Sequence, residues 1–157
     1  MIFILVLVNL PTHLSEPPEI AIVADSIDAQ WDPTLQEIHV GDSLYNNTDD
    51  FRHLLSGLVT LRYAQGVEIV IEGPAQFLCT SQRDFYMRFG RAVAHVPKQM
   101  SGFTLKTPSA RVVDLGTEFG IDVDMDGQAI VQMYQGKASL VSRGYERDRM
   151  QQILTCG

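Results

Sequence analysis

The sequence predicts an all-β domain, either an antiparallel β-sandwich or an irregular, partly solenoid-like β-roll, with few short helices. Three observations carry this expectation. Apolar and polar residues alternate over short runs. Gly, Pro and Asp-Gly signals punctuate those runs, and helical periodicity is weak. The 157 residues suffice for one domain with a real core, and 45% hydrophobic against 20% charged residues marks a globular chain.

The elements follow in chain order. Leu58–Ala64 is rich in β-formers and ends at Gly66. Val67, Ile69 and Ile71 alternate with Glu68, Val70 and Glu72, the pattern of a half-buried strand, until Gly73-Pro74 breaks it. Phe103 and Leu105 alternate with Thr104 and Lys106, and Pro108 stops the run. Arg111–Leu115 follows. Phe119, Ile121 and Val123 then share one face, with Asp122 and Asp124 on the other. Ile130–Tyr134 and Lys137–Ser142 complete the series. The expected core includes Val67, Ile69, Ile71, Phe103, Leu105, Phe119, Ile121 and Val131. Short helices are expected at Asp49–Leu55, capped by Asp49 or Asp50, and at Arg147–Leu154.

The turn around Asp126-Gly127 also sets a register. A two-residue loop pairs Ile121 with Gln132 and places an amide on an apolar face. A three-residue loop, Met125-Asp126-Gly127, pairs Val123 with Ala129, Ile121 with Val131 and Phe119 with Met133. Its third position favours a left-handed residue, which glycine supplies. The three-residue loop is therefore preferred.

Charge and composition exclude several functions. A net charge of -7, with lysines scattered at Lys98, Lys106 and Lys137, argues against a nucleic-acid partner. Cys79 and Cys156 make neither a disulfide framework nor a zinc site and are read as unrelated thiols, although an oxidising compartment would let them pair. His13, His39, His53 and His95 lack metal spacing and are expected at the surface, while Trp31 is expected to pack. Asn46-Asn47-Thr48 is a glycosylation sequon by pattern alone.

Two motifs invite catalysis or metal binding. Gly41-Asp42-Ser43-Leu44 spells the signature of GDSL-type esterases, and Asp50-Phe51-Arg52-His53 matches their Asp-x-x-His. That pair lies far too close to Ser43, and neither an oxyanion-hole block nor a β/α alternation follows. Asp122, Asp124, Asp126 and Gly127 resemble the start of a calcium loop, but its twelfth position is Met133 in place of a bidentate glutamate. A hairpin turn explains the same residues. No catalytic residue, cofactor or metal is assigned.

Met1–Leu10 reads as the remnant of a truncated membrane helix or signal sequence. It is too short to span a bilayer, which takes about 20 apolar residues. The rival reading is a buried first strand. Residues 1–17, anchor remnant plus proline-punctuated linker, are expected to precede a β domain at residues 18–157.

Several blocks in order then carry a resemblance: Glu72–Phe77, Gly90–Pro97, Gly102–Pro108 and Val113–Gly120, followed by Tyr134–Ala138. Together they resemble the FecR domain, in the version found in planctomycete and verrucomicrobial surface proteins. Val40–Leu44 fits that family's early Gly-Asp-x-Leu turn. The glycines of these blocks, Gly73, Gly90, Gly116 and Gly120, are expected at strand ends or bulges. The resemblance implies a non-enzymatic domain outside the cytoplasmic membrane, anchored upstream. Its role would be a sensor or relay acting through a protein partner and linked to sigma-factor regulation. The alternative is a surface-display or carbohydrate-binding accessory module. Family members that relay to a sigma factor carry a helical anti-sigma segment before the span, which this sequence lacks. A partner-binding edge is expected at Asp114, Thr117 and Glu118. The competing view is that Asp114 and Glu118 close a turn within the domain.

Overall fold

The computed structural model describes residues 17–46, 51–142 and 151–156. Met1–Leu10, His13, most of the sequon and the first residues of both expected helices lie outside them.

The described residues form one 11-stranded sheet: β1 Glu19–Trp31, β2 Ser43–Tyr45, β3 Arg52–Tyr63, β4 Glu68–Ser81, β5 Asp84–His95, β6 Thr104–Lys106, β7 Ala110–Asp114, β8 Glu118–Val123, β9 Ala129–Gln135, β10 Lys137–Ser142 and β11 Gln151–Thr155. The all-β expectation holds. The helical content described is one 3-10 turn at Lys98–Met100. Both expected helices are corrected to strand where they are described. Arg52–Leu55 opens β3, paired with Trp31 and with Ala75–Phe77, and Gln151–Leu154 lies in β11. Pairing across the sheet satisfies more of the backbone groups of such short segments than an isolated helical turn does.

The strand order is β11-β10-β7-β6-β5-β4-β3-β1-β2, and β8 pairs β5 and β9. The sheet therefore forks at β5. Asp84–Tyr86 pairs in parallel with Thr104–Lys106, and Gly90–His95 pairs antiparallel with β8. All other pairings are antiparallel.

A crease marks the fork. Register shifts occur between Ile27 and Gln30 in β1, Leu54 and Leu58 in β3, and Glu72 and Gln76 in β4. Three glycines fill it. A Cβ on Gly57 (φ +84°) would drive into the backbone of Asp28, with the Ala29 nitrogen 2.6 Å away. One on Gly73 would lie 2.7 Å from the Ser56 Cα, and one on Gly90 (φ +118°) 2.5 Å from the Ala75 Cβ. Such bulges bend and twist a strand. Here they fall side by side across β1, β3, β4 and β5, so these four strands bend together.

Phe77 stacks on Phe85 at 5.5 Å, and Tyr63 meets Phe103 edge-on at 5.2 Å. Val67, Ile69, Ile71, Phe103, Leu105, Phe119 and Ile121 are buried as expected. Val131 is corrected: it is half-buried, because β9 lies at the margin of the sheet with β8 as its ladder partner. Trp31 is half-buried and packs against Phe77 at 6.2 Å. The hairpin adopts the three-residue loop, with Val123 opposite Ala129, Ile121 opposite Val131 and Phe119 opposite Met133. Gly127 supplies the left-handed position at φ +82°, and Asp124 Oδ1 accepts from the Asp126 and Gln128 amides at 2.9 Å each.

Candidate functional site

Asp114 ends β7 and Glu118 begins β8, so Asp114–Glu118 carries the chain from one branch of the forked sheet to the other. The backbone of Asp114 is held on both sides. Its amide donates to the Phe103 carbonyl at 2.8 Å, and its carbonyl accepts from Gly102 at 2.7 Å. Its carboxylate turns back on the following residues. Oδ2 accepts from the Gly116 amide at 2.5 Å, and the Thr117 hydroxyl donates to Oδ1. The Thr117 carbonyl in turn accepts from Val96 at 2.9 Å. Asp114 has no exposed surface and Thr117 is buried. Burial pushes the Asp114 carboxyl up to about 6, against the opposing pull of the Gly116 and Thr117 amides and of His95.

The structure thus brings Asp114, Thr117 and Glu118 together, but as a turn clamp with two of them inside. Glu118 is the one with an exposed carboxylate, 3.9 Å from His95 Nδ1. The stretch is also not a free edge. Its flanking strand β7 lies between β6 and β10, and β8 lies between β5 and β9. The closed turn is the competing view stated above, and it is the observed geometry for Asp114.

The esterase and calcium motifs are absorbed by the fold. The Ser43 hydroxyl donates to Glu19 Oε2, while His53 Nδ1 sits 3.3 Å from Asp32. Gly41 and Asp42 form a turn in which the Asp42 carboxylate accepts from the His39 amide at 2.8 Å. Asp124 is engaged in the hairpin turn. Cys79 is buried, while Cys156 is exposed and its thiol donates to the Tyr134 carbonyl at 3.0 Å. Desolvation pushes the Cys79 thiol up to about 12, so it is a poor nucleophile.

A second feature has little signature in the sequence. On the outer face of the sheet, β3, β4, β5, β8 and β9 form a concavity of about 360 Å³. Leu58, Val70, Val93 and Ile130 supply apolar walls, and Glu72, Arg91, Asp122 and Gln132 supply polar ones. Arg91 and Glu72 are paired at 3.4 Å, and the Tyr134 ring lies across Gly120. One signal was available: Val70 is an apolar residue on the polar face of an alternating run, and it is 37% exposed.

No curated protein and no solved structure matches the chain. A family model described as FecR protein matches residues 56–139, more than half of the sequence. That span runs from the crease in β3 through the fork and the Asp114 clamp to the start of β10, while β1, β2 and β11 join the same sheet from outside it. It takes in the four main blocks read from the sequence, and the chain belongs to the FecR protein family.

Proposed function

We propose that this domain is an extracytoplasmic relay module that acts by binding another protein, is tethered to the cytoplasmic membrane from its N-terminal side, and bears on the activity of a sigma factor. The observation that supports this reading is the family match over residues 56–139. The domain's division follows the sequence reading, with residues 1–17 as anchor and linker and residues 18–157 as the β domain. Its work is non-enzymatic and uses no cofactor. The acidic balance of -7 suits a protein partner with basic residues and disfavours nucleic acid.

The test is genetic and direct. Deleting the domain in its host should change transcription from the promoters of one alternative sigma factor. A transcript profile that does not move rejects the relay. An alkaline phosphatase fused after Gly157 should be active, since the enzyme matures outside the cytoplasm; an inactive but intact fusion rejects the location.

Glu118 serves this reading as a rim charge. With the partner captured by a photo-crosslinker placed at position 118, Glu118→Lys should slow association by about tenfold at low salt, and the difference should shrink as salt rises. Thermal stability should stay the same, because the side chain is 41% exposed. Unchanged association kinetics would remove Glu118 from the interface.

A further inference from the structure

Among the described residues, β9 is one of three margins of this sheet, with β2 and β11. Sheet edges commonly carry lysine, proline or charged inward residues that discourage pairing with another chain. β9 reads Ala-Ile-Val-Gln-Met-Tyr-Gln over Ala129–Gln135, with no charge and no proline. Among the described residues its ladder partner is β8 alone. Of the other margins, β2 is three residues long, and β11 is also uncharged but only five residues long.

The register shows which groups face outward. Asp124 and Gln128 close the hairpin with a hydrogen bond of 3.0 Å. Bonded and non-bonded pairs alternate along an antiparallel ladder, so Ile130 and Gln132 are bonded to β8. The N–H and C=O groups of Ala129, Val131 and Met133 then point away from the sheet. The side chains of these three residues pack partly against the core and leave its margin half covered. On the other face Ile130 is 73% exposed and Tyr134 44% exposed, both beside the concavity.

Charge selects the occupant. Residues 117–136 contain Glu118, Asp122, Asp124 and Asp126, and no lysine or arginine. Asp122, Asp124 and Asp126 are exposed. We propose that the free edge of β9, at Ala129–Met133, takes up an extended basic segment of a partner protein as an added strand. This rests on the relay reading in one respect, that the occupant is a protein. The added strand bonds to the outward groups of Ala129, Val131 and Met133. Every second side chain extends the core over Val131 and Met133 and must be apolar. The intervening ones lie beside Ile130, Gln132 and Asp122 and are long and cationic.

The test uses the full chain and a labelled heptapeptide of alternating lysine and valine, with glutamate replacing lysine in a control. The lysine peptide should bind about tenfold or more tightly than the control, and less tightly as salt rises. It should slow amide exchange at Ala129, Val131 and Met133. Val131→Pro removes an outward N–H and leaves the ladder to β8 intact, so binding should fall about tenfold with the melting temperature kept. If that variant does not fold, Asp122→Lys with Asp126→Lys, both at exposed positions, should reverse the preference between the two peptides. Several results overturn the proposal: no binding of the lysine peptide, equal binding of both, no effect of Val131→Pro, or amides at β9 already protected before peptide is added. Binding of cellohexaose with no peptide binding also overturns it and assigns the concavity to sugar. Failure of the edge is distinct from failure of the relay. If Val131→Pro leaves promoter output normal while deletion abolishes regulation, β9 is wrong and the relay stands.

Discussion

Gly57→Ala should destabilise the domain by about 2–5 kcal/mol, read as a lowered urea midpoint. A left-handed conformation costs a non-glycine residue about 1–2 kcal/mol, and overpacking against a fixed neighbour adds about 1–3. Both apply at Gly57, where φ is +84° and the added methyl meets the backbone of Asp28. Asp28 cannot yield easily, since it is itself left-handed at φ +49° within the β1 bulge. Against a total stability of about 5–15 kcal/mol such a loss is severe. Gly41→Ala is the control. Gly41 has φ +95° and open space where its Cβ would be, so it should lose the conformational part alone. Equal losses at the two positions would mean that the close approach in the crease costs nothing.

The second large effect is pH-dependent and belongs to Asp114. Asp114→Ala leaves the Gly116 amide and the Thr117 hydroxyl without their acceptor. Each such orphan costs about 1–3 kcal/mol, so a loss of about 2–6 kcal/mol is expected. Asp114→Asn isolates the charge. The carboxyl titrates at about 6 in the fold against 3.8 as the ordinary value. The folded state therefore holds the proton more tightly than the unfolded one. The stability linked to that proton is fully present below pH 3.8 and is lost as pH rises through about 6. The whole shift corresponds to about 3 kcal/mol. Asparagine does not titrate, so the variant should lack this slope between pH 4 and pH 6 while other groups titrate as before. Urea midpoints of both proteins across that window decide it. Parallel curves would show that Asp114 ionises as freely in the fold as outside it.

The β8–β9 hairpin was legible residue by residue, because a period of two and one glycine turn fix its register without help from other strands. β1 was not. Its 13 residues are interrupted by shifts at Val23/Asp25 and Ile27/Gln30, so the alternation never runs long enough to be seen. β5 alternates Phe85, Met87 and Phe89 with Tyr86 and Arg88, yet Gly90 breaks the pattern at the crease. The two helix expectations failed for a related reason: a turn of mixed polarity carries no period, and pairing partners decide its state. At the candidate site, a turn closed by Asp114 and Glu118 is the competing view in the sequence reading; the structure shows Asp114 bonded to Gly116 and Thr117, contacts that are local in sequence. The concavity was hidden because its walls come from five strands whose neighbours no linear pattern reveals.

The crease also settles a problem of alignment. Strands of 12 to 14 residues can pair in many offsets. A slip of one residue turns every side chain to the wrong face and is rejected by the core. A slip of two preserves the faces, so alternation alone does not forbid it. In β3 that slip would put Leu55 or Val59 where Gly57 now meets the Asp28 backbone. In β5 it would put Arg88 or Ala92 against Pro74 and Ala75. Gly57, Gly73 and Gly90 thus work as index marks, like the divisions of a vernier, which coincide at one offset only.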